Sequence, residues 1–193
     1  MAISLTKGQA ISLEKTTGTT LTQVKMGLGW DVAKPKGLFG AFTSNNSIDL
    51  DASCLLFDAA GQNTDIVYFR QLHSKDGSIQ HMGDNLTGAG DGDDEVINVD
   101  LTKVPANVAH LVFTVSSYRG QTFDKVENAY CRLLDNKSTE IAKFNLSAQG
   151  SHTGQIMVRL SRQNSDWNLH AIGHNTRSST AADLVTAARG LLG

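Results

Sequence analysis

Val96-Ile97-Asn98-Val99-Asp100-Leu101 alternates apolar and polar residues without a break. A period of two marks a half-buried strand, because successive side chains of an extended chain point to opposite faces. Ile97, Val99 and Leu101 are expected inward, Asn98 and Asp100 outward. The pattern recurs on both sides. Ile3 and Leu5, then Ile11 and Leu13, then Leu21, Val24, Met26 and Leu28 read as strands separated at Gly8 and Gly18. Residues 48–57, 66–69, 110–116, 129–134, 140–146, 155–160 and 167–172 read the same way, with Leu111, Phe113 and Val115 as one core face. Residues 135–138 and 163–166 supply hairpin turns, and residues 122–127 a single helical turn. The period changes in the tail. Ala181, Leu184, Val185, Ala188 and Leu191 follow helical spacing, with Thr180 and Asp183 as an N-terminal cap. About ten short strands without regular strand–helix alternation predict an all-β fold, an antiparallel β-sandwich with a short C-terminal helix. One domain over residues 1–193 is expected.

Immediately before the opening strand, residues 83–95 read GDNLTGAGDGDDE. Asp84, Asp91, Asp93, Asp94 and Glu95 crowd this stretch, which contains no Lys or Arg. Two carboxylates about 4 Å apart repel by ~4 kcal/mol at an effective dielectric near 20, against a total domain stability of ~5–15 kcal/mol. The stretch must stay open in solvent or hold a cation. Asp84 and Glu95 have the end-to-end spacing of an EF-hand loop, but Leu86 and Gly88 stand where oxygen side chains belong, and Ala89 replaces the required Gly. It is not an EF-hand. Among cations, calcium suits a flexible set of hard oxygens, magnesium demands stricter octahedral placement, and zinc prefers the Cys or His that the stretch lacks. Asp31 ends the run Gly27-Leu-Gly-Trp30-Asp31, and Asp49 and Asp51 share one strand face opposite Leu50, Ala52 and Cys54. With these acids added, two ions are expected.

The rest of the composition bounds the function. A net charge of −2 over 193 residues offers no general attraction to nucleic acid. No stretch has the apolar length of a membrane span, and residues 1–8 lack the apolar run of a signal peptide. A cytoplasmic protein is expected. Cys54 and Cys131 lie in strand-like runs and read as buried thiols, which suits neither a disulfide nor the exposed paired thiols of redox chemistry. His73 and His81 read as surface residues, His170 and His174 as a scattered pair, and Trp30 and Trp167 as packing residues. No Walker loop, nucleophile elbow or zincin motif occurs.

Gly27-Leu-Gly-Trp-Asp31, Asp49-Leu-Asp-Ala-Ser53, Gly83-Asp-Asn-Leu-Thr-Gly88 and Gly90-Asp-Gly-Asp-Asp-Glu95 resemble, in order, the bacterial TerD family of tellurium-resistance and stress-response proteins. Asp100-Leu-x-Lys-Val-Pro105 and Arg119-Gly-Gln-x-Phe123 extend the match, and residues 47–58 look nearest to the TerZ branch. The resemblance implies a non-enzymatic, calcium-binding β-sandwich. Its ligands would come from Asp31, Asp49, Asp51, Asp84, Asn85, Asp91, Asp93, Asp94 and Glu95. It further implies work as a binding scaffold with other stress-response proteins or a membrane-associated complex. The segment 32–47 is longer than in many relatives, and Ile48 stands where they often have Phe. The alternative is a two-metal hydrolase of phosphate esters using the same acids, against which stands the lack of an obvious basic residue beside them in sequence.

Overall fold

The computed structural model describes residues 2–32, 49–83, 92–146 and 150–193. Its elements are β1 (Ile3–Leu5), β2 (Ala10–Ser12), α1 (Leu13–Thr17), β3 (Gln23–Val32), β4 (Asp51–Asp58), β5 (Asn63–Val67), β6 (Ile79–His81), β7 (Glu95–Asp100), β8 (Val108–Ser116), β9 (Val126–Asp135), β10 (Glu140–Asn145), β11 (Gly154–Gln163), β12 (Asp166–Thr176) and α2 (Ala181–Arg189). A 3₁₀ turn at Phe123–Lys125 fulfils the expected helical turn before β9. Two six-stranded sheets form, in the orders β1-β10-β9-β3-β7-β6 and β2-β12-β11-β8-β4-β5. All pairings are antiparallel except that of β1 on β10. The opening strand β7 behaves as its alternation requires, with Ile97 and Val99 buried between the sheets.

One expected strand is shorter than its sequence suggests. Leu13 was expected in a strand with Ile11, but the chain turns into α1 at that residue. The Ser12 hydroxyl accepts from the Lys15 N–H at 3.1 Å and donates to Asp166 at 2.7 Å, which caps the helix and ties it to β12. Gly18 then ends it at φ 73, a left-handed angle that glycine adopts without steric cost. Leu13 is buried all the same, so its apolar character is satisfied by packing and not by a strand.

The main core lies between the sheets and includes Met26, Leu28, Leu56, Ile97, Leu111, Phe113, Leu133, Leu160 and Trp167. Each such side chain contributes roughly 1.5–3 kcal/mol of apolar burial. Cys54 and Cys131 are free, buried thiols in this core, and burial pushes both far above the ordinary thiol range. A second core covers the outer face of the second sheet. There α2 lays Ala181, Leu184 and Ala188 on Leu55, Phe57, Val112 and Ile156. The α2 cap is the expected one, with Thr180 accepting from the Asp183 N–H.

The pairings bring several strand ends together. Leu28 opposes Glu95, His81 opposes Ile97, Asp31 opposes Glu127 and Asp51 opposes Ser116. Thus the C-terminal ends of β3, β6 and β8 and the N-terminal ends of β4, β7 and β9 meet at one end of the sandwich. The acids from distant stretches converge there.

Candidate functional site

Gly27 and Gly29 explain the shape of the acidic end. They occupy the outer face of β3, where a Cβ on Gly27 would lie 2.2 Å from an Asp93 carboxylate oxygen and one on Gly29 2.5 Å from the Tyr130 ring. The strand is bare so that these two side chains can rest on it. Asp93 is 8% exposed and accepts from Arg132 Nε at 2.8 Å; Arg132 also reaches Glu140 at 3.3 Å. The Tyr130 hydroxyl lies 2.8 Å from the Gly92 carbonyl and 3.2 Å from Asp93, and can donate to either. Burial first, then the Asp93 charge, pushes the phenol up to about 12.

Asp94 and Asp31 face a different space. Asp94 accepts from the Trp30 N–H at 2.9 Å. Burial raises its carboxyl above the ordinary range; the Trp30 bond opposes this, and the negative charges of Asp31 and Asp93 reinforce it. Asp31 is exposed and accepts from Asn128 Nδ2 at 2.8 Å. A β-bulge makes that bond: the β3–β9 register shifts between Gly29 and Asp31, and Asn128 takes φ 51, so its amide is re-aimed toward β3. Asp31, Asp94, Asn128, Tyr130, Lys143 and Asn145 line one cavity of about 620 Å³. The Lys143 ammonium sits 3.9 Å from the centre of the Tyr130 ring.

Glu95 lies between the sheets. It is 2% exposed, accepts from the Ala52 N–H of β4 at 2.6 Å, and stands 3.4 Å from His81 Nε2. One carboxylate therefore links β7, β6 and β4. His81 is not the surface residue expected, being 1% exposed, because the inward phase of β6 carries both Ile79 and His81 into the core. His73 is exposed, as expected.

The second sheet holds the remaining acids. Asp49 pairs with Arg119 at 3.1 Å, and both Asp49 and Asp51 are buried. Asp51 lines a separate cavity of about 240 Å³ with Ser53, Ser116, Tyr68, Tyr118 and the first turn of α2. The acids therefore share one end but divide among two outer faces and the interior. Asp84, Asn85 and Asp91, with the 33–48 segment, lie outside the described residues. Among the described residues, no three His, Cys, Asp or Glu side chains form a group able to hold a metal ion.

The sequence reading missed the basic partners. Arg132 and Arg119 stand beside the acids although neither lies in the acidic stretch. The Gly-x-Gly spacing of β3 was the available signal, since two glycines on one strand face leave room that another side chain must fill. His170 and His174 sit on β12 opposite Arg159 and Ile156 and take no part in the acidic end.

The TerD domain family model matches residues 1–187. The chain is 51% identical over 183 residues to the tellurium resistance protein TerZ of Serratia marcescens, covering 94% of each chain. It is 40% identical over 198 residues to the stress response protein SCP2 of Bacillus subtilis, covering 96% of this chain and 98% of that protein. The crystal structure of a telluride resistance protein (TerD) homologue from Streptomyces coelicolor A3(2) superimposes with a TM-score of 0.71 at 20% identity, over 88% of this chain and 98% of that one. A second crystal structure, of a protein of unknown function, superimposes with a TM-score of 0.70 at 24% identity, over 86% of this chain and 96% of that one. Both share the fold. By sequence and fold together, the chain belongs to the TerD domain family, whose members include tellurium-resistance and stress-response proteins.

Proposed function

We propose that this protein binds calcium at its acidic end and serves stress response, including tellurite resistance, as a calcium-ordered binding scaffold without catalytic activity. The observation that carries the reading is the Asp31–Asp94 wall of the larger cavity. Asp94 is held above the ordinary carboxyl range by burial and by two neighbouring negative charges, an arrangement that a cation would relieve. The donors around it are carboxylate, amide and phenol oxygens, the hard set that calcium prefers to zinc's nitrogen and sulfur. Asp31 and Asp94 would hold one ion together with Asp84, Asn85 or Asp91 from the sequence; Asp49 and Asp51 would serve a second. Asp93 and Glu95 would support these sites by fixing β9 and β4, since Arg132 and the Ala52 N–H already occupy them. Bound there, calcium supplies positive charge that cross-links strand ends distant in sequence. Scaffolding of other stress-response proteins at this end is part of the same proposal.

Calorimetric titration of chelator-stripped protein tests the reading. Saturable calcium binding that Asp94→Asn weakens about tenfold or more supports it. Absence of heat at millimolar calcium overturns it. Two-metal hydrolysis of a phosphate ester is the second reading, and the presence of Lys143 in the lining of the same cavity as Asp31 and Asp94 is the observation in its favour. Metal-dependent phosphatase activity lost in Lys143→Gln would establish it in place of the first.

A further inference from the structure

On the outer face of the second sheet, one guanidinium lies among two imidazoles and a hydroxyl. Arg159 on β11 pairs in register with His170 on β12 and with Val112 on β8. Ser161, two residues along β11 on the same face, opposes His110, whose Nδ1 lies 3.0 Å from the Ser161 hydroxyl. Directly opposed side chains on neighbouring strands start about 5 Å apart. The guanidinium, the two imidazoles and the hydroxyl therefore occupy one small patch beside the C-terminal end of α2.

Arg159 is 7% exposed and permanently charged. It donates Nη1 to the Leu191 carbonyl, while its Nε is buried without a hydrogen-bond partner. His170 Nε2 is likewise buried and without one. Among the described residues no carboxylate forms an ion pair with Arg159. Burial and the Arg159 charge hold His110 below the ordinary imidazole range, and His110 adds to the same effect on His170. Other arginines of the fold are better provided for. Arg132 has two acids, and Arg162 reaches three carbonyls and stacks on Trp167 at 4.5 Å. A buried guanidinium with one carbonyl and no countercharge is costly unless a further acceptor completes it.

We infer that this patch is a binding site for a small oxyanion. The unpartnered nitrogens, Arg159 Nε and His170 Nε2, are donors or can act as donors, with the Ser161 hydroxyl beside them already paired with His110, and the one permanent charge is positive. A metal cation is disfavoured by the same charge. Arg159 and His170 provide the direct contacts, with Ser161 and His110 closing the other side. Phosphate and tellurite share the required chemistry, a compact anion with several acceptor oxygens.

The test uses the full chain with calcium chelated, so that the acidic end does not contribute. Inorganic phosphate and tellurite are titrated separately at constant ionic strength, with chloride as the control, and followed by amide NMR shifts and thermal unfolding. The expected result is saturable binding of at least one, with shifts centred on His110, Arg159, Ser161 and His170. Both Arg159→Gln and His170→Asn should weaken it about tenfold or more. His170→Asn leaves the Arg159–Leu191 tether in place and guards against loss of fold, checked by circular dichroism. Binding of phosphate alone or tellurite alone assigns the occupant. If neither anion binds saturably, or both variants bind as tightly as the parent, the patch is only a tether for the C-terminal segment and the inference fails.

Discussion

The acidic end of the first sheet and the helix-covered face of the second meet the same problem with opposite means. On the first, charge is dense and three of its carboxylates are met locally: Asp93 by Arg132 and Tyr130, Asp94 by the Trp30 N–H, Asp31 by Asn128. Among the described residues no helix covers it, and two glycines keep the β3 surface clear for those contacts. On the second, charge is sparse and burial is supplied by α2, with apolar contacts around a single buried guanidinium. One face stores its stability in apolar packing. The other holds charges paired across strands, Asp93 with Arg132 and Asp49 with Arg119. On the proposed reading, calcium would add stability at the acidic end, whereas the helical face rests on apolar packing.

The widest separation of the two faces is expected from Leu184→Ala. Leu184 is fully buried under α2, and truncation of such a residue costs about 2–5 kcal/mol. Urea unfolding should show that loss while calcium titration stays unchanged. Calcium itself comes next. At a hundred times its dissociation constant a ligand stabilises the fold by ~2.7 kcal/mol, which for a chain of this size raises the melting temperature by about 5–10 °C. Magnesium should restore little of the shift after chelation.

Gly27→Ala should cost about 1–3 kcal/mol, because the new methyl group occupies the place of the Asp93 carboxylate. Unlike Leu184→Ala it should also disturb calcium binding, since Asp93 and Asp94 are neighbours in the chain. The smallest effect is expected from Asp94→Asn in chelated protein. A carboxyl whose folded value is raised leaves the folded state better protonated, so its favourable contribution is present at low pH. That contribution is lost as pH rises through the raised value. Asparagine keeps the Trp30 contact without the charge. The calcium-free variant should therefore be slightly more stable than the parent at neutral pH, by less than ~1 kcal/mol, while binding calcium worse. A calcium-free variant less stable than its parent would show that the charge at Asp94 is structural.

Period and punctuation carried most of the fold. The alternation of residues 96–101 placed β7 and its inward face, and Thr180 with Asp183 marked the start of α2 correctly. Leu13 misled because a cap at Ser12, completed by Asp166 from the far end of the chain, outweighed the local alternation. His81 misled because its partner, Glu95, is acidic and was read only as part of a loop.

The sequence by itself determined that this protein is a β-sandwich with one strongly acidic region, because side-chain periodicity and local charge density are properties of neighbouring residues. Only the tertiary structure decided how that charge is apportioned. Arg132 lies 39 residues from Asp93, Asn128 lies 97 residues from Asp31, and Ala52 lies 43 residues from Glu95. Electrostatic neutralisation depends on distance in space, and strand pairing alone sets that distance. The bare face of β3, the bulge at Asn128 and the unmatched Arg159 all follow from which strands lie side by side.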